Sequence, residues 1–282
     1  MNFEHLPDWV GREQIAEDVA SSRDAQRLAA VLGRQTPPRE DEPLPSCWHW
    51  TLFQPLQAGS ELGPDGHPKT GEFLPPVPVP RRMFTGIEVE AGKPLLVGEK
   101  VRRRSVIEAI TPKGGNSGQM IFVTLRHTLE SDSGGHIVEK HSFVYRGAER
   151  AAASREKPDD QADRREFTWK RDITADPVLV FRFAAATFNA HRIHYDRAYA
   201  TEVERYPERL VPGRLAALLL LEELWQQSRR PVTSFTFQAR KPIWVGEMLT
   251  LEGTAADSQN VDMRVATNSS RCAMESRAAF AA

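Results

Sequence analysis

The leucine-rich segment at residues 215–221 constrains the fold of this chain more than any other part of its sequence. It lies in a predicted helix that begins at Pro212, where the missing N–H costs nothing, and ends near residue 228, before Pro231. Apolar side chains cover nearly its full circumference. Such a helix belongs inside a protein, and this one is too short to span a lipid bilayer. Protein must therefore surround it.

A seven-residue motif occurs twice in the chain. It reads KPLLVGE at residues 93–99 and KPIWVGE at residues 241–247, with five of the seven positions identical. A strand-like segment follows each copy, at residues 101–107 and 248–253. The alternative is that Pro…Gly-Glu is merely a common turn before a strand. We interpret the motif as an internal duplication, which predicts two similar lobes.

Both lobes contain segments with the composition of antiparallel strands. In the first, β-branched and aromatic residues fill 120–129 and 136–145, with Gly134-Gly135 between them. In the second, the corresponding segments are residues 231–240, 248–255, 262–267 and 272–280. A long helix wrapped by a curved sheet is the hot-dog arrangement. We therefore predict an α+β fold of the double hot-dog class, with a weaker central helix near residues 82–90 in the first lobe.

The domain boundaries follow from composition. Residues 1–146 form the predicted N-terminal lobe, which opens with an amphipathic helix over residues 9–32. Residues 147–166 are charged, with few large apolar side chains, and are interpreted as a linker. Residues 167–282 form the predicted catalytic lobe. The irregular, proline-rich segment 59–80 is long for a loop in a compact domain, and we expect it to be a lid over the pocket.

Charge and cysteine content exclude several classes of protein. Lys plus Arg number 37 against 38 acidic residues, which argues against nucleic acid or a membrane surface as a partner. The two cysteines, Cys47 and Cys272, are too few for a disulfide framework and lack metal-ligand spacing. With no secretory signal recognisable, we expect a cytoplasmic protein. A homodimer is one option for the oligomeric state, which the sequence leaves open.

The segment FNAHRIHYD at residues 188–196 concentrates groups that can carry out proton transfer. His191 and His194 are three positions apart, so they would share one face of a helical turn. Asn189 can orient water, and Asp196 could fix an imidazole tautomer. The alternative is a polar turn whose histidines cap backbone groups. Because no third metal ligand is obvious nearby, we expect no metal.

Gly213 is the second candidate element, at the start of the leucine-rich helix. An N–H at a helix N-terminus has no intrahelical partner and can bind a developing oxyanion. The alternative is that glycine simply permits close packing at the turn.

Taken together, residues 188–196, 211–213 and 242–247 resemble the successive motifs of the MaoC-like (R)-specific enoyl-thioester hydratases, which are hot-dog proteins. Within that family the chain resembles the branch of mesaconyl-C4-CoA hydratase and type 2 hydroxyacyl-thioester dehydratases. The family motif reads Asp-x-Asn-Pro-x-His-x-Asp. Its catalytic histidine falls on His194, its trailing aspartate on Asp196, its catalytic aspartate on Asn189 and its asparagine on His191.

The resemblance implies reversible hydration of a 2,3-enoyl-CoA thioester, with a short branched or dicarboxylic acyl group such as mesaconyl. It also implies that no cofactor is needed besides the CoA thioester substrate. Gly213 would polarise the thioester carbonyl, and the further candidates for substrate binding are Tyr195, Arg81 and Arg82. Arg102, Arg103 and Arg104 are also available for phosphates, although a solvated strand face explains them equally well.

The family motif is altered at its catalytic aspartate, because Asn189 cannot take a proton. Either His191 replaces the carboxylate, or His194 works alone with Asn189 positioning water, or hydration activity is lost. We favour the His191/His194 pair, since one position loses an ionisable group while its neighbour gains one.

Three alternatives to a hydratase remain: a 3-hydroxyacyl-ACP dehydratase, a non-catalytic acyl-CoA-binding protein and a thioesterase. The thioesterase is disfavoured because Glu222 and Glu223 lie near the far end of the helix. At the place equivalent to the FNAHRIHYD segment, the first lobe offers CWHW at residues 47–50, with no second histidine and no repeated Asn-x-His. This predicts one active site per chain, in the C-terminal lobe. Trp48 and Trp50 are expected in the core or along the acyl pocket.

Overall fold

Ten antiparallel strands form one continuous sheet in the computed structural model, which describes residues 5–77, 81–115, 118–147, 166–255 and 257–281. The strands are β1 (Glu13–Val19), β2 (Arg81–Ala91), β3 (Lys100–Gly115), β4 (Gly118–Ser131), β5 (His136–Arg146), β6 (Trp169–Thr174), β7 (Val232–Ala239), β8 (Met248–Ala255), β9 (Asn260–Thr267) and β10 (Ser270–Phe280). Three α-helices accompany them: α1 (Ser22–Leu32), α2 (Pro177–Ala186) and α3 (Gly213–Ser228).

The order of the strands shows that the two halves of the chain repeat one topology. The sheet runs β1-β3-β4-β5-β2-β7-β10-β9-β8-β6, so each half contributes five strands in the same relative order. The halves join where β2 pairs with β7, with Ile87 opposite Phe237. The predicted double hot-dog fold is confirmed. The strands predicted at residues 120–129 and 136–145, and those predicted after residue 231, all form.

The duplicated motif forms the same turn twice. Gly98 and Gly246 both adopt left-handed φ angles, of 94° and 92°. Their N–H groups donate to Ala20 and Ala175, each at 2.8 Å. In both copies the glutamate side chain caps the turn: Glu99 accepts from Leu96 N–H, and Glu247 accepts from Trp244 N–H. This shared hydrogen-bond pattern supports duplication over coincidence.

Helix α3 is the buried centre of the C-terminal half. Leu215, Leu218 and Leu220 are no more than 1% exposed, and the helix contacts β8 and β9. Helix α1 packs against both α2 and α3, so one apolar core extends through both halves. Each fully buried leucine contributes about 1.5–3 kcal/mol relative to an exposed one. The predicted helix, and the reason for its burial, are confirmed.

The N-terminal half has no counterpart of α3 among its described residues. Leu44 N–H donates to Leu95 O just as Val211 N–H donates to Ile243 O, both at 2.8 Å, so the chain approaches the two turns in the same way. Beyond this point the two halves differ, because the N-terminal copy makes only the 3₁₀ turn Trp48–Thr51. Large polar and aromatic side chains occupy the space instead.

Two predicted helices are wrong. Residues 82–90 belong to β2, which pairs with β5 on one side and β7 on the other, and this ladder overrides any local helical preference. Only the second part of residues 9–32 is helical. Residues 13–19 form β1, and α1 begins after Ser21, whose hydroxyl caps Arg23 N–H at 3.2 Å.

The strands of the two halves fall within residues 13–146 and 169–280. Most of the predicted linker, residues 148–165, lies outside the described part of the chain, and the division into lobes at 146 and 167 stays a prediction. Helix α2 and strand β6 are additions that the sequence pattern does not predict. None of the described helices has the length and apolar character needed to cross a membrane.

Replacing Leu218 with alanine tests the role of α3. Leu218 is 1% exposed, so Leu218→Ala leaves a cavity that should lower the free energy of unfolding by about 2–5 kcal/mol. Leu56→Ala is the matched control, because Leu56 is 79% exposed and should change stability by less than about 0.5 kcal/mol. Chemical denaturation measures both. Equal effects would contradict the buried position of α3.

Candidate active site

The loop after α2 is built by a left-handed residue and a short hydrogen bond. Phe188 has φ 48°, a conformation that costs a non-glycine residue about 1–2 kcal/mol. It turns the chain so that Asn189 N–H donates to Ala184 O at 2.8 Å. The Asn189 side-chain oxygen then accepts from His191 N–H at 3.1 Å. Asn189 therefore uses its carbonyl to shape the loop that presents His191.

His194 is held in a single orientation by a backbone carbonyl. Its Nδ1 lies 2.8 Å from Leu210 O. Because a carbonyl oxygen only accepts, Nδ1 carries the proton and Nε2 keeps its lone pair. Burial lowers the pKa of His194 to about 4, although the bond to Leu210 opposes the shift. At neutral pH the ring is therefore an uncharged imidazole able to accept a proton at Nε2.

Gly213 follows the same short connection that holds His194. Leu210 N–H donates back to Ile193 O at 3.0 Å, and α3 begins three residues later at Gly213. Within the described residues the Gly213 N–H has no hydrogen-bond acceptor. A Cβ at this position would meet only Phe237 and Met274, at 3.8 and 3.9 Å, which is ordinary contact. Packing against protein does not explain the glycine.

His191 adjoins His194, as its spacing predicts. The two rings meet edge to face, with centroids 5.2 Å apart. On its other side, His191 contacts the ring of His67, at a centroid distance of 4.1 Å. Burial, followed by the neighbouring His67 and His194, lowers the pKa of His191 well below its ordinary value. All three imidazoles form one contiguous group.

His67 belongs to the 59–77 segment, the described part of the predicted lid, and is not among the predicted site residues. Its Nδ1 lies 2.9 Å from Asp65 Oδ2, and its N–H donates to Asp65 Oδ1 at 3.0 Å. Arg192 N–H donates to Asp65 O at 2.9 Å, which ties the segment to the loop at residues 188–196. The lid itself stays a prediction.

Gly66 allows the 59–77 segment to pack directly against the backbone at Ala190. It has φ 88°, and a Cβ there would lie 2.0 Å from Ala190 O, which no other residue type could accommodate without displacing the backbone. In the sequence, the Gly66-His67-Pro68 tripeptide is the signal that could have drawn attention to His67. Local pattern alone, however, does not indicate which distant loop such a segment contacts.

The expectation that no third metal ligand lies nearby is wrong. Ligand atoms of Asp65, His67 and His191 all lie within 4.8 Å of one another, so this set could hold a metal ion. His67 is partly protected from protonation, because burial, followed by Arg82, lowers its pKa while Asp65 opposes the shift.

The prediction that Asp196 fixes an imidazole tautomer is wrong. Its carboxylate pairs with Arg192 at 2.7 Å and accepts from Tyr199 N–H at 3.0 Å, so it stabilises the loop. The Leu210 carbonyl performs the tautomer-fixing role instead. Tyr195 is 46% exposed and lies at the surface.

The two predicted phosphate-binding arginines differ in their surroundings. Arg81 is buried and paired with Glu204 at 2.9 Å, which leaves it unsuited to binding a substrate phosphate. Burial raises the pKa of Tyr145 and Arg82 opposes that shift. The charge of Arg82 also acts to lower the pKa of Asp65, after burial and the contacts with His67, and the pKa of His67, after burial. Arg82 therefore contributes positive charge at the site.

A second polar cluster lies in the N-terminal half, around the CWHW segment at residues 47–50. Glu139 Oε2 lies 2.7 Å from His49 Nε2, and Glu139 Oε1 accepts from Trp50 Nε1 at 3.0 Å and contacts His141. His141 Nδ1 lies 3.2 Å from His127. We call His49, His127, Glu139 and His141 the inner-face cluster. His127 and His141 come from β4 and β5, far in sequence from residues 47–50, which is why the sequence does not reveal it.

The two α3 carboxylates that a thioesterase could use are both held in ion pairs. Glu222 forms a two-pronged ion pair with Arg34, at 2.7 Å for the shorter contact, and Glu223 pairs with Arg171 at 3.0 Å. Both carboxylates on α3 are therefore committed to structural ion pairs. Neither is available as a nucleophile or base.

These features define a double hot-dog protein with a histidine site beside the N-terminus of its central helix. The family model of hydroxyacyl-thioester dehydratase type 2 matches residues 47–245, and the chain belongs to this family. It is 41% identical over 242 residues to mesaconyl-C(4)-CoA hydratase of Chloroflexus aurantiacus, a match covering 84% of each chain. The predicted class of enzyme, a hydratase or dehydratase of acyl thioesters, is thereby confirmed.

Solved structures agree on the fold. A MaoC-like dehydratase superposes with a TM-score of 0.74 at 12% identity, covering 98% of this chain and 99% of the other. A conserved Mycobacterium tuberculosis protein described as having a double hot-dog fold has a TM-score of 0.55 at 13% identity, covering 97% of each chain.

The environment of His194 predicts an unusual titration. Its pKa, lowered to about 4 by burial, means that the ring binds a proton only well below neutral pH. NMR titration of the histidine ring signals, with His194→Ala used to assign the resonance, should show His194 neutral and unchanged from about pH 5 to 8. A midpoint near the ordinary value of 6.5 would contradict the buried, Leu210-bonded geometry.

Proposed function

We propose that the chain catalyses reversible addition of water to a 2,3-enoyl-CoA thioester whose acyl group is short and branched or dicarboxylic, such as mesaconyl-C4-CoA. One observation carries the proposal: a buried neutral imidazole, His194, has its Nδ1 proton fixed by Leu210, while its Nε2 has no hydrogen-bond partner in the described part of the chain. The relationship to mesaconyl-C(4)-CoA hydratase supports the choice of acyl group.

In the proposed reaction, His194 Nε2 removes a proton from water. The water oxygen bonds to the β-carbon, and the π electrons of the double bond move towards the thioester oxygen. Gly213 N–H, at the positive end of α3, stabilises that oxygen. The α-carbon then receives the proton that water lost, carried by His194 and His191. The overall change is the addition of one water molecule.

The proposed role of the Asp65–His67 pair is to supply the negative charge that Asn189 lacks. Burial disfavours ionisation of Asp65, but the hydrogen bond and charge of His67 bring its pKa below the ordinary value, so this carboxylate is ionised at neutral pH. It reaches His191 through the His67 ring. A proton held on His191 during the reaction would thus be stabilised by a nearby carboxylate.

The proposal includes no cofactor and no resident metal. It sets the enzyme in the cytoplasm, a location that the two unpaired cysteines, Cys47 and Cys272, support. A homodimer is part of the proposal, and light scattering of the purified protein would test it.

Loss of the enoyl-thioester absorbance in crotonyl-CoA and mesaconyl-C4-CoA tests the reaction directly. His194→Ala should lower kcat by about 10²–10⁴-fold, the usual contribution of a general acid–base group. His136→Ala is the matched control, because His136 is exposed on the β4–β5 hairpin and should leave kcat within about twofold. Turnover of the corresponding acyl-ACP alone would favour the 3-hydroxyacyl-ACP dehydratase. Tight CoA-ester binding without turnover would favour a binding protein.

A second pair of variants tests the replacement of the missing aspartate. His191→Ala should lower kcat by about 10²-fold with little change in KM, because it removes a proton carrier from a bound substrate. Asp65→Asn should lower kcat less and should alter its pH profile, because it removes the charge that stabilises a protonated His191. If His191→Ala turns over as fast as the wild type while His194→Ala is inactive, then His194 works alone and the pairing is wrong.

A further inference from the structure

The inner-face cluster has no part in the proposed hydration, yet it contains Glu139, a carboxylate that is only 2% exposed. The cluster extends across three neighbouring strands, β3, β4 and β5. Ser105 on β3 lies opposite His127 on β4, and His127 lies opposite Glu139 on β5. His127 Nδ1 lies 2.8 Å from Ser105 Oγ, which continues the chain of hydrogen bonds. Burial lowers the pKa of both His127 and His141, so these rings are neutral at physiological pH.

Two arginines face this cluster without a carboxylate partner of their own. Arg103 extends from β3, and Arg214, from the second residue of α3, has its Nη2 3.2 Å from the neutral His141 ring. Within the described residues neither forms an ion pair, and the buried Arg103 Nε has no hydrogen-bond partner. Burial, followed by the charge of Arg214, lowers the pKa of Arg103 to about 10, so it is still charged at neutral pH.

Burial lowers the pKa of Arg214 and of Arg103, and the nearby carboxylates oppose the shift: Glu139 at both arginines and Asp18 at Arg103. Within the described residues neither carboxylate forms a direct ion pair with either guanidinium group. Glu139 is engaged by His49, Trp50 and His141. Asp18 accepts hydrogen bonds from the backbone N–H groups of Val19 and Phe53. Both arginines are half-buried and have no direct ion pair within the described residues, so their N–H donors are available to an anionic ligand. Arg214 is thus suited to binding an anion.

Arg214 also lies close to the proposed reaction centre. It follows Gly213 directly, and its guanidinium carbon is 5.4 Å from the centre of the Trp50 ring and 5.7 Å from that of Phe84. Phe84 and Phe237 are 5.8 Å apart, and Phe237 reaches the surroundings of Gly213. An apolar wall therefore runs from the Gly213 N–H to the Arg214 guanidinium.

We propose that Arg214 binds a carboxylate at the end of the acyl group distant from the sulfur, and so selects dicarboxylic over uncharged acyl thioesters. This inference rests on the proposed function. In a mesaconyl C4-thioester the free carboxylate is attached to the β-carbon, only three C–C bonds of about 1.5 Å from the thioester carbonyl carbon. The residue next to the oxyanion-binding Gly213 is well placed to reach it. A planar guanidinium binds a carboxylate with two parallel hydrogen bonds.

The test compares two substrates that differ only in this charge: mesaconyl-C4-CoA and its analogue with a carboxamide in place of the free carboxylate. The wild type should prefer the carboxylate. Arg214→Gln should lower the ratio of kcat/KM values, carboxylate over amide, by roughly 10- to 100-fold, the value of one charge-assisted hydrogen bond. Arg126→Gln is the matched control, because the Arg126 side chain is exposed on β4, and it should keep the wild-type ratio.

Each other outcome overturns a definite part of the proposal. An unchanged ratio in an active Arg214→Gln enzyme, or an equal loss with both substrates, would show that Arg214 does not recognise the carboxylate while the hydratase remains. If Arg214→Gln does not fold, the wild-type enzyme alone still tests the proposal. A wild type with a higher kcat/KM for the amide than for the carboxylate would exclude a carboxylate-binding site. A wild type inactive on both substrates and on crotonyl-CoA would remove the proposed function itself.

Discussion

Burial of α3 is the constraint on which the rest of this structure depends. A helix that is apolar on every side gains its stability only when protein encloses it, and here β8 and β9, with α1 against it, do so. Enclosure has a chemical consequence at the helix N-terminus, where N–H groups lack intrahelical acceptors. The same packing that hides the leucines thus brings Gly213 and Arg214 into the interior, beside the loop that carries His194.

The duplication left the two halves with different interiors. Both keep the turn that precedes β3 and β8, with matching bonds at Gly98 and Gly246. Among the described residues, only the C-terminal half fills its sheet with a long helix. The N-terminal half instead lines its inner face with Glu139 and three histidines, a set of polar groups that satisfy one another. The C-terminal half therefore encloses α3, whereas the N-terminal half places polar side chains near the N-terminus of α3.

Local pattern predicts the fold well and the site in part. The α3 helix, the duplicated turn and most strands follow from periodicity and from Gly and Pro positions, which act over a few residues. The helix predicted in place of β2 is wrong because the strand depends on β5 and β7, neither of which is near in sequence. The same reason hides His67 and Asp65, whose partner His191 lies far along the chain, and the cluster in which Glu139 joins His49 to His141. The role predicted for Asp196 is wrong because its neighbour Arg192 competes for the carboxylate.

In the proposed mechanism, Asn189 can stand in place of the motif's aspartate because a carboxylate elsewhere in the site stabilises the proton on His191. A carboxylate at position 189 would lie in the loop itself, whereas the Asn189 oxygen now holds His191 N–H. In the proposed mechanism the negative charge comes instead from Asp65 in the 59–77 segment, which contacts His67, and His67 in turn contacts His191. Placing it there ties catalytic competence to the docking of that segment, because Gly66 must press against Ala190 for the His67 ring to meet His191. A site built in this way is complete only when both halves of the chain are folded together.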